Sequence, residues 1–121
     1  MNGKILMFAF HDLSVVVAVN KAMAELGVEV LPVMPKDYNK PLQSLLEQNC
    51  VGEDDTGAPL GGPMLVLSGL TERLDTVLPA LQKAGAGVSC LKAVLTAPNR
   101  TWTARQLYGE LLRERMEVTG K

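Results

Sequence analysis

The stretch KILMFAF, Lys4 to Phe10, holds no polar side chain after its lysine. A strand with one wet face alternates polar and apolar residues, whereas a strand covered on both faces is apolar throughout. MLVL, Met64 to Leu67, has the same character and is followed by Ser68 and Gly69. Two such strands predict a sheet with helices on both faces. They argue against the alternative, a ferredoxin-like α+β sheet with strand two antiparallel to strand three, because that sheet leaves one face open.

The segments after each apolar strand have helical spacing. In HDLSVVVAVNKAMAELG, Val16, Val19, Met23 and Leu26 fall near one stripe, Asp12 can cap the start, and Gly27 can close the end in a left-handed conformation. The run Val15, Val16, Val17 favours a strand on its own, but the helical spacing from Val16 to Leu26 outweighs it. In LTERLDTVLPALQKAG the stripe is Leu70, Leu74, Val77, Leu78 and Leu81, with Pro79 expected to kink the helix and Gly85 and Gly87 to end it. VEVLPV, Val28 to Val33, is a short strand that Pro32 confines to a sheet edge. CLKAVLT, Cys90 to Thr96, is the fourth strand. MPKDYNKPLQSLLEQN reads as a loop and a short helix on Leu42, Leu45 and Leu46, with Asn39 as its cap and Pro41 in its first turn. The last helix places Leu107, Tyr108, Leu111 and Leu112 on one face.

The two halves share this order. A constant offset sets Gly27 on Gly85, Met23 on Leu81, Val19 on Val77 and Val16 on Leu74. The chain is therefore expected to be a single α/β domain over 1–121. Its pseudo-repeat halves span about 1–49 and 63–118 and are joined by a flexible Gly-, Asp- and Pro-rich loop, 50–62. Right-handed crossovers between two β-α-β-α units give a four-stranded, mainly parallel sheet of order 2-1-3-4.

The 121 residues suit one domain, and 47% hydrophobic content supports a core. Twelve basic residues against thirteen acidic ones make nucleic acid an unexpected partner. No apolar run approaches the roughly 20 residues of a membrane span, and MNGKILMFAFHD lacks a signal peptide's basic start and cleavage site. The reading is a cytoplasmic protein. Cys50 and Cys90 are far apart and form no CxxC, so two reduced, unbonded thiols are expected.

An all-parallel sheet would bring all four strand-to-helix loops to its carboxyl edge, where doubly wound proteins bind ligands at the switch point. The ligand-binding candidates are then His11 and Asp12 from the first loop, Ser68 and Gly69 from the third, Lys36 and Tyr38 on one flank, and Asn99, Arg100 and Trp102 on the other. His11 with Asp12 could form an acid-base pair, but Asp12 has a sufficient role as a helix cap and no converging set accompanies them. There is no HxxxH and no carboxylate set at ligand spacing, and GEDDTG lacks the full calcium-loop pattern, so no metal is expected. No Walker A motif and no GxGxxG occur, so no cofactor is expected.

TAPNRTWTARQL, Thr96 to Leu107, contains the only tryptophan. Thr103 with Gln106 matches a capping box, and Trp102 precedes the cap in the position of a hydrophobic staple. The functional reading of the same loop keeps Arg100 and Arg105 as donors beside the helix start.

From Met64 to Glu114 the chain resembles a bacterial family of small domains described only as a domain of unknown function, DUF3783. The residues that carry the resemblance are MLVLSGLTERLDTVLPAL and LKAVLTAPNRTWTARQLYGELLRE. The resemblance implies that Lys92, Asn99 and Trp102 belong to the family pattern, and it implies no catalytic residue.

The expected function is that of a small non-catalytic binding or regulatory module for a protein partner or a small anionic ligand at the carboxyl edge. The alternatives are a small enzyme using His11 and Asp12, or a structural homodimer. The first helix is apolar around much of its circumference, so a homodimer through Val15, Val19 and Met23 is an expected partner.

Overall fold

The computed structural model describes residues 3–48, 60–87 and 90–119, with side chains described as far as Glu114. Strand β1 (Lys4–Phe8) leads into α1 (Leu13–Glu25), β2 (Glu29–Val33), a 3₁₀ turn (Pro35–Asp37) and α2 (Leu42–Leu46). The second half runs β3 (Met64–Ser68), a 3₁₀ turn (Thr71–Arg73), α3 (Leu74–Lys83), β4 (Leu91–Val94) and α4 (Ala104–Thr119). Cys50 and most of the expected 50–62 loop lie outside the described residues, while Cys90 is a buried free thiol.

The four strands form one sheet of order β2-β1-β3-β4. Alternate residues of the two apolar strands serve opposite faces. Ile5, Met7, Leu65 and Leu67 join Val19 and Met23 of α1 and Val77 and Leu81 of α3 in one core layer. Leu6, Phe8, Met64 and Val66 join Leu42, Leu45 and Leu46 of α2 and Leu107 of α4 in the other. Strand β2, which carries Pro32, is an edge strand, and the ferredoxin-like order is not formed.

The pairs β1–β2 and β3–β4 are parallel, but the central pair β1–β3 is antiparallel, with Lys4 opposite Ser68 and Phe8 opposite Met64. This corrects the expectation of four loops at one carboxyl edge. Chain segments leaving β1 and β2 exit at one end of the sheet, and those leaving β3 and β4 exit at the other. The physical reason lies in the helices. Antiparallel central strands put α1 and α3 on the same face, where they pack against each other and share the Val19–Val77 layer. Ala18, Ala22, Ala80 and Ala84 line the groove between these two helices. Apolarity on both faces of a strand reads the same whichever way its neighbour runs.

The ends of α1 formed as expected, whereas details of α2, α3 and α4 differ, with Leu112 exposed on α4. The Asp12 side chain caps α1 by accepting from the Ser14 N–H at 2.9 Å, and Gly27 lies at φ +72. The cap position of α2 is Pro41 and not Asn39, with no side-chain capping bond. Helix α3 begins at Leu74 and runs through Pro79. Leu70 lies before it, and Leu78 is exposed rather than on the buried stripe. Val19 and Met23 are fully buried within the chain, and Val15 packs against Gly85. Val19 and Met23 are therefore spent within the chain, while Val15 stays partly exposed. The exposed large apolar residues of α1 are Leu13 and Val17.

Candidate functional site

The antiparallel centre divides the expected ligand-binding set. His11 and Asp12 are exposed at the Phe8 end of β1, whereas Ser68 and Gly69 end β3 beside Lys4, at the opposite end of the sheet. Asp12 is also committed to its cap, accepting from the Ser14 hydroxyl at 2.6 Å as well as from the Ser14 N–H. These hydrogen bonds hold its carboxyl below the ordinary carboxylate value. A carboxylate so engaged does not orient the adjacent histidine.

The remaining candidates come together by another route. The segment after β2 and the segment after β4 leave opposite ends of the sheet and meet over the face that carries α2 and α4. Pro41 and Thr103 form an antiparallel bridge. The Leu42 N–H donates to the Trp102 carbonyl at 2.9 Å, the Gln43 N–H to the Arg100 carbonyl at 3.0 Å, and the Arg105 N–H to the Tyr38 carbonyl at 3.4 Å. Backbone groups at the starts of both helices, which have no partner inside their own helix, are thus satisfied across the junction. The two halves are clasped through their helix starts.

Each polar residue of the clasp has a describable role. Asn99 is buried. Its Oδ1 accepts from the Thr96 N–H at 2.8 Å, and its Nδ2 donates to the Val94 carbonyl at 3.2 Å. It therefore holds the loop shut. The capping box is formed: the Thr103 N–H donates to Gln106 Oε1 at 2.8 Å, and the Gln106 N–H donates to Thr103 Oγ1 at 3.2 Å. Tyr38 is buried against Phe8, with ring centroids 6.0 Å apart, and the Arg105 guanidinium lies 5.6 Å from its ring centroid. Burial raises the Tyr38 pKa, opposed by a hydrogen bond with the Ala9 backbone and by the Arg105 charge. Lys40 and Asp37 form a buried ion pair at 2.6 Å behind the same turn. Lys36 and Arg100 are exposed on either side of the clasp.

Trp102 is half-buried and borders an open cleft of about 560 Å³, lined also by Arg105, Gln106, Gly109 and Glu110. The Glu110 carboxylate accepts from the Arg113 guanidinium at 2.6 Å, which offsets its charge. Arg105 was expected only as a donor beside the helix start, and Gln106, Gly109 and Glu110 were absent from the expected site. The signal that joins Arg105, Gln106 and Gly109 to Trp102 is the spacing of 102, 105, 106 and 109, one face of a helix. Among the described residues no cluster of His, Cys, Asp and Glu could hold a metal ion, and no helix is long and apolar enough to cross a membrane.

Residues 63–118 match a family model described as Domain of unknown function (DUF3783). The match spans β3 to α4 and so includes the cleft. It leaves out β1 to α2, which supply Tyr38 and half of the clasp. No curated protein and no solved structure matches the chain.

Proposed function

We propose that the chain is a non-catalytic α/β binding module that takes a small anionic ligand, or an anionic side chain of a protein partner, at the cleft beside Trp102. The observation that supports this most is the cleft itself: an aromatic wall and the Arg105 guanidinium in one concavity of about 560 Å³. That volume falls within the roughly 300–1,000 Å³ of small-molecule sites. The exposed Arg100 lies two residues from Trp102, and the one carboxylate in the lining is already paired with Arg113. A planar carboxylate or a phosphate suits a guanidinium fork, and an apolar or aromatic neighbour of that group suits the indole.

A thermal-shift screen against nucleotides, sugar phosphates and carboxylates tests the reading, with Arg105→Ala and Arg100→Ala as controls. The expected result is a hit whose stabilisation saturates and falls at least severalfold in Arg105→Ala. Hits that are unaffected by either arginine, but abolished by His11→Ala, would turn the reading to the sheet end that carries His11 and Asp12.

A second reading, a structural homodimer, is favoured by Leu13 and Val17, one helical turn apart and 77% and 66% exposed on α1. We also infer that the two halves descend from one β-α-β-α unit, since equivalent helix starts, at Pro41 and Thr103, meet each other in the clasp. The module is proposed to work in the cytoplasm of a bacterium.

A further inference from the structure

We propose that the outer edge of β4 is a docking strand for an extended peptide segment of another protein, one of whose aliphatic side chains seats between α3 and β4. The sheet has two edges, and they differ. On β2 the Glu29 N–H donates inward to the Gly3 carbonyl, so Val30 and Pro32 point outward, and Pro32 has no N–H to offer. On β4 the Leu91 N–H donates to the Pro63 carbonyl and the Leu95 N–H to the Leu67 carbonyl. The ladder alternates, so Lys92 and Val94 turn their backbone groups outward. Among the described residues, the N–H and C=O of Lys92 and the N–H of Val94 have no partner. They form a row of two donors and one acceptor at strand spacing.

A lysine in the middle of an edge strand normally blocks pairing. Here the Lys92 ammonium is folded back along the chain, donating to the Gly87 carbonyl at 2.7 Å and the Cys90 carbonyl at 3.2 Å. Its stem instead lines a cavity of about 110 Å³ together with Leu67, Leu74, Leu78, Ala93 and Val94. That volume is well below the roughly 300 Å³ at which free small-molecule sites begin, and it suits one aliphatic side chain. Leu78, on its rim, is among the exposed large apolar residues of the chain. A paired backbone with one apolar anchor is the chemistry of strand addition.

A second copy fits less well. Antiparallel self-pairing centred on Lys92 is left with the two Lys92 bonds alone, because the flanking pair would call on the Cys90 N–H and carbonyl, which already bond the Gly87 carbonyl and Lys92 Nζ. Pairing centred on Ala93 would call on the Val94 carbonyl, which already accepts from Asn99 Nδ2.

The test uses the full chain, isotopically labelled, titrated with a panel of short capped peptides that alternate threonine with valine or leucine. The expected result is a saturable shift of the Lys92 and Val94 amide resonances, with Val30 unmoved. Leu78→Glu should weaken that binding by about tenfold, because it sets a charge in the anchor cavity. Leu78→Ala should weaken it too, and it keeps the test open if the glutamate disturbs α3. The absence of a saturable shift across the panel, shifts confined to Val30, or unchanged binding in both Leu78 variants would overturn the proposal. So would Lys92 and Val94 shifts that follow protein concentration alone, since the occupant would then be a second copy.

Discussion

Gly27 lies at φ +72, and nothing stands within 4 Å of where a Cβ would be. Gly27→Ala therefore adds no clash and only the strain of a left-handed backbone, about 1 kcal/mol. Urea denaturation should register that loss, and an unchanged midpoint would remove the strain argument. Asp12 is the counterpart at the other end of α1. Its folded-state pKa lies below the ordinary 3.8 because of its bonds to Ser14. The stabilisation it gives is complete above that value and is lost as pH falls through the lowered one. Asp12→Asn keeps a cap while removing the acid dependence, so its melting temperature should vary less below pH 4 than that of the wild type. Both residues were legible in the sequence because a cap and a left-handed glycine are local chemistry. Asn99 read in the sequence as a ligand-binding candidate in a loop, with no sign of its structural partners. Its bonds to Thr96 and Val94 appear once the loop has folded, and they give it a structural role. Asn99→Ala should cost about 1–3 kcal/mol by stranding buried groups, with ligand binding reduced only as far as the fold is.

Helix α4 shows which readings of an element survive the step to structure. The Thr103–Gln106 box was legible because it needs only four residues, and it formed. Thr103→Ala should cost about 1 kcal/mol of unfolding free energy. It should also raise the hydrogen-exchange rate of the Leu42 amide, which donates to the Trp102 carbonyl next to the cap. Exchange confined to α4 would mean that the clasp does not couple the halves. Helix α1 was legible despite its three consecutive valines, because spacing over several turns outweighs single-residue propensity. What covers it was not legible. The stripe that looked too broad to hide is shared between the sheet and α3, and this depends on which face α3 occupies. Val17 remains outward. If a homodimer forms through α1, Val17→Glu should shift sedimentation toward the monomer and leave far-UV circular dichroism native. A wild-type monomer at roughly tens of micromolar would remove that reading.

For the whole molecule, strand order and two-sided covering followed from KILMFAF and MLVL, and both are present in the sheet. The direction of β3 relative to β1 did not follow, since an apolar strand carries no mark of its neighbour's polarity. That one unread sign separated His11 and Asp12 from Ser68 and Gly69. It also created the clasp, in which the unmatched first half supplies Tyr38 beneath Arg105 and the DUF3783-like second half supplies Trp102. The proposed anion binds beside that tryptophan. Trp102 is the only tryptophan in the chain, so its emission reports on the cleft alone. The most direct measurement is a fluorescence titration with whichever anion stabilises the protein in the thermal screen. Trp102 emission should change saturably, with the affinity seen in the thermal shift, and the change should be lost in Arg105→Ala. A ligand that raises the melting temperature and saturates while Trp102 emission and its quenching stay constant would contradict binding at the cleft.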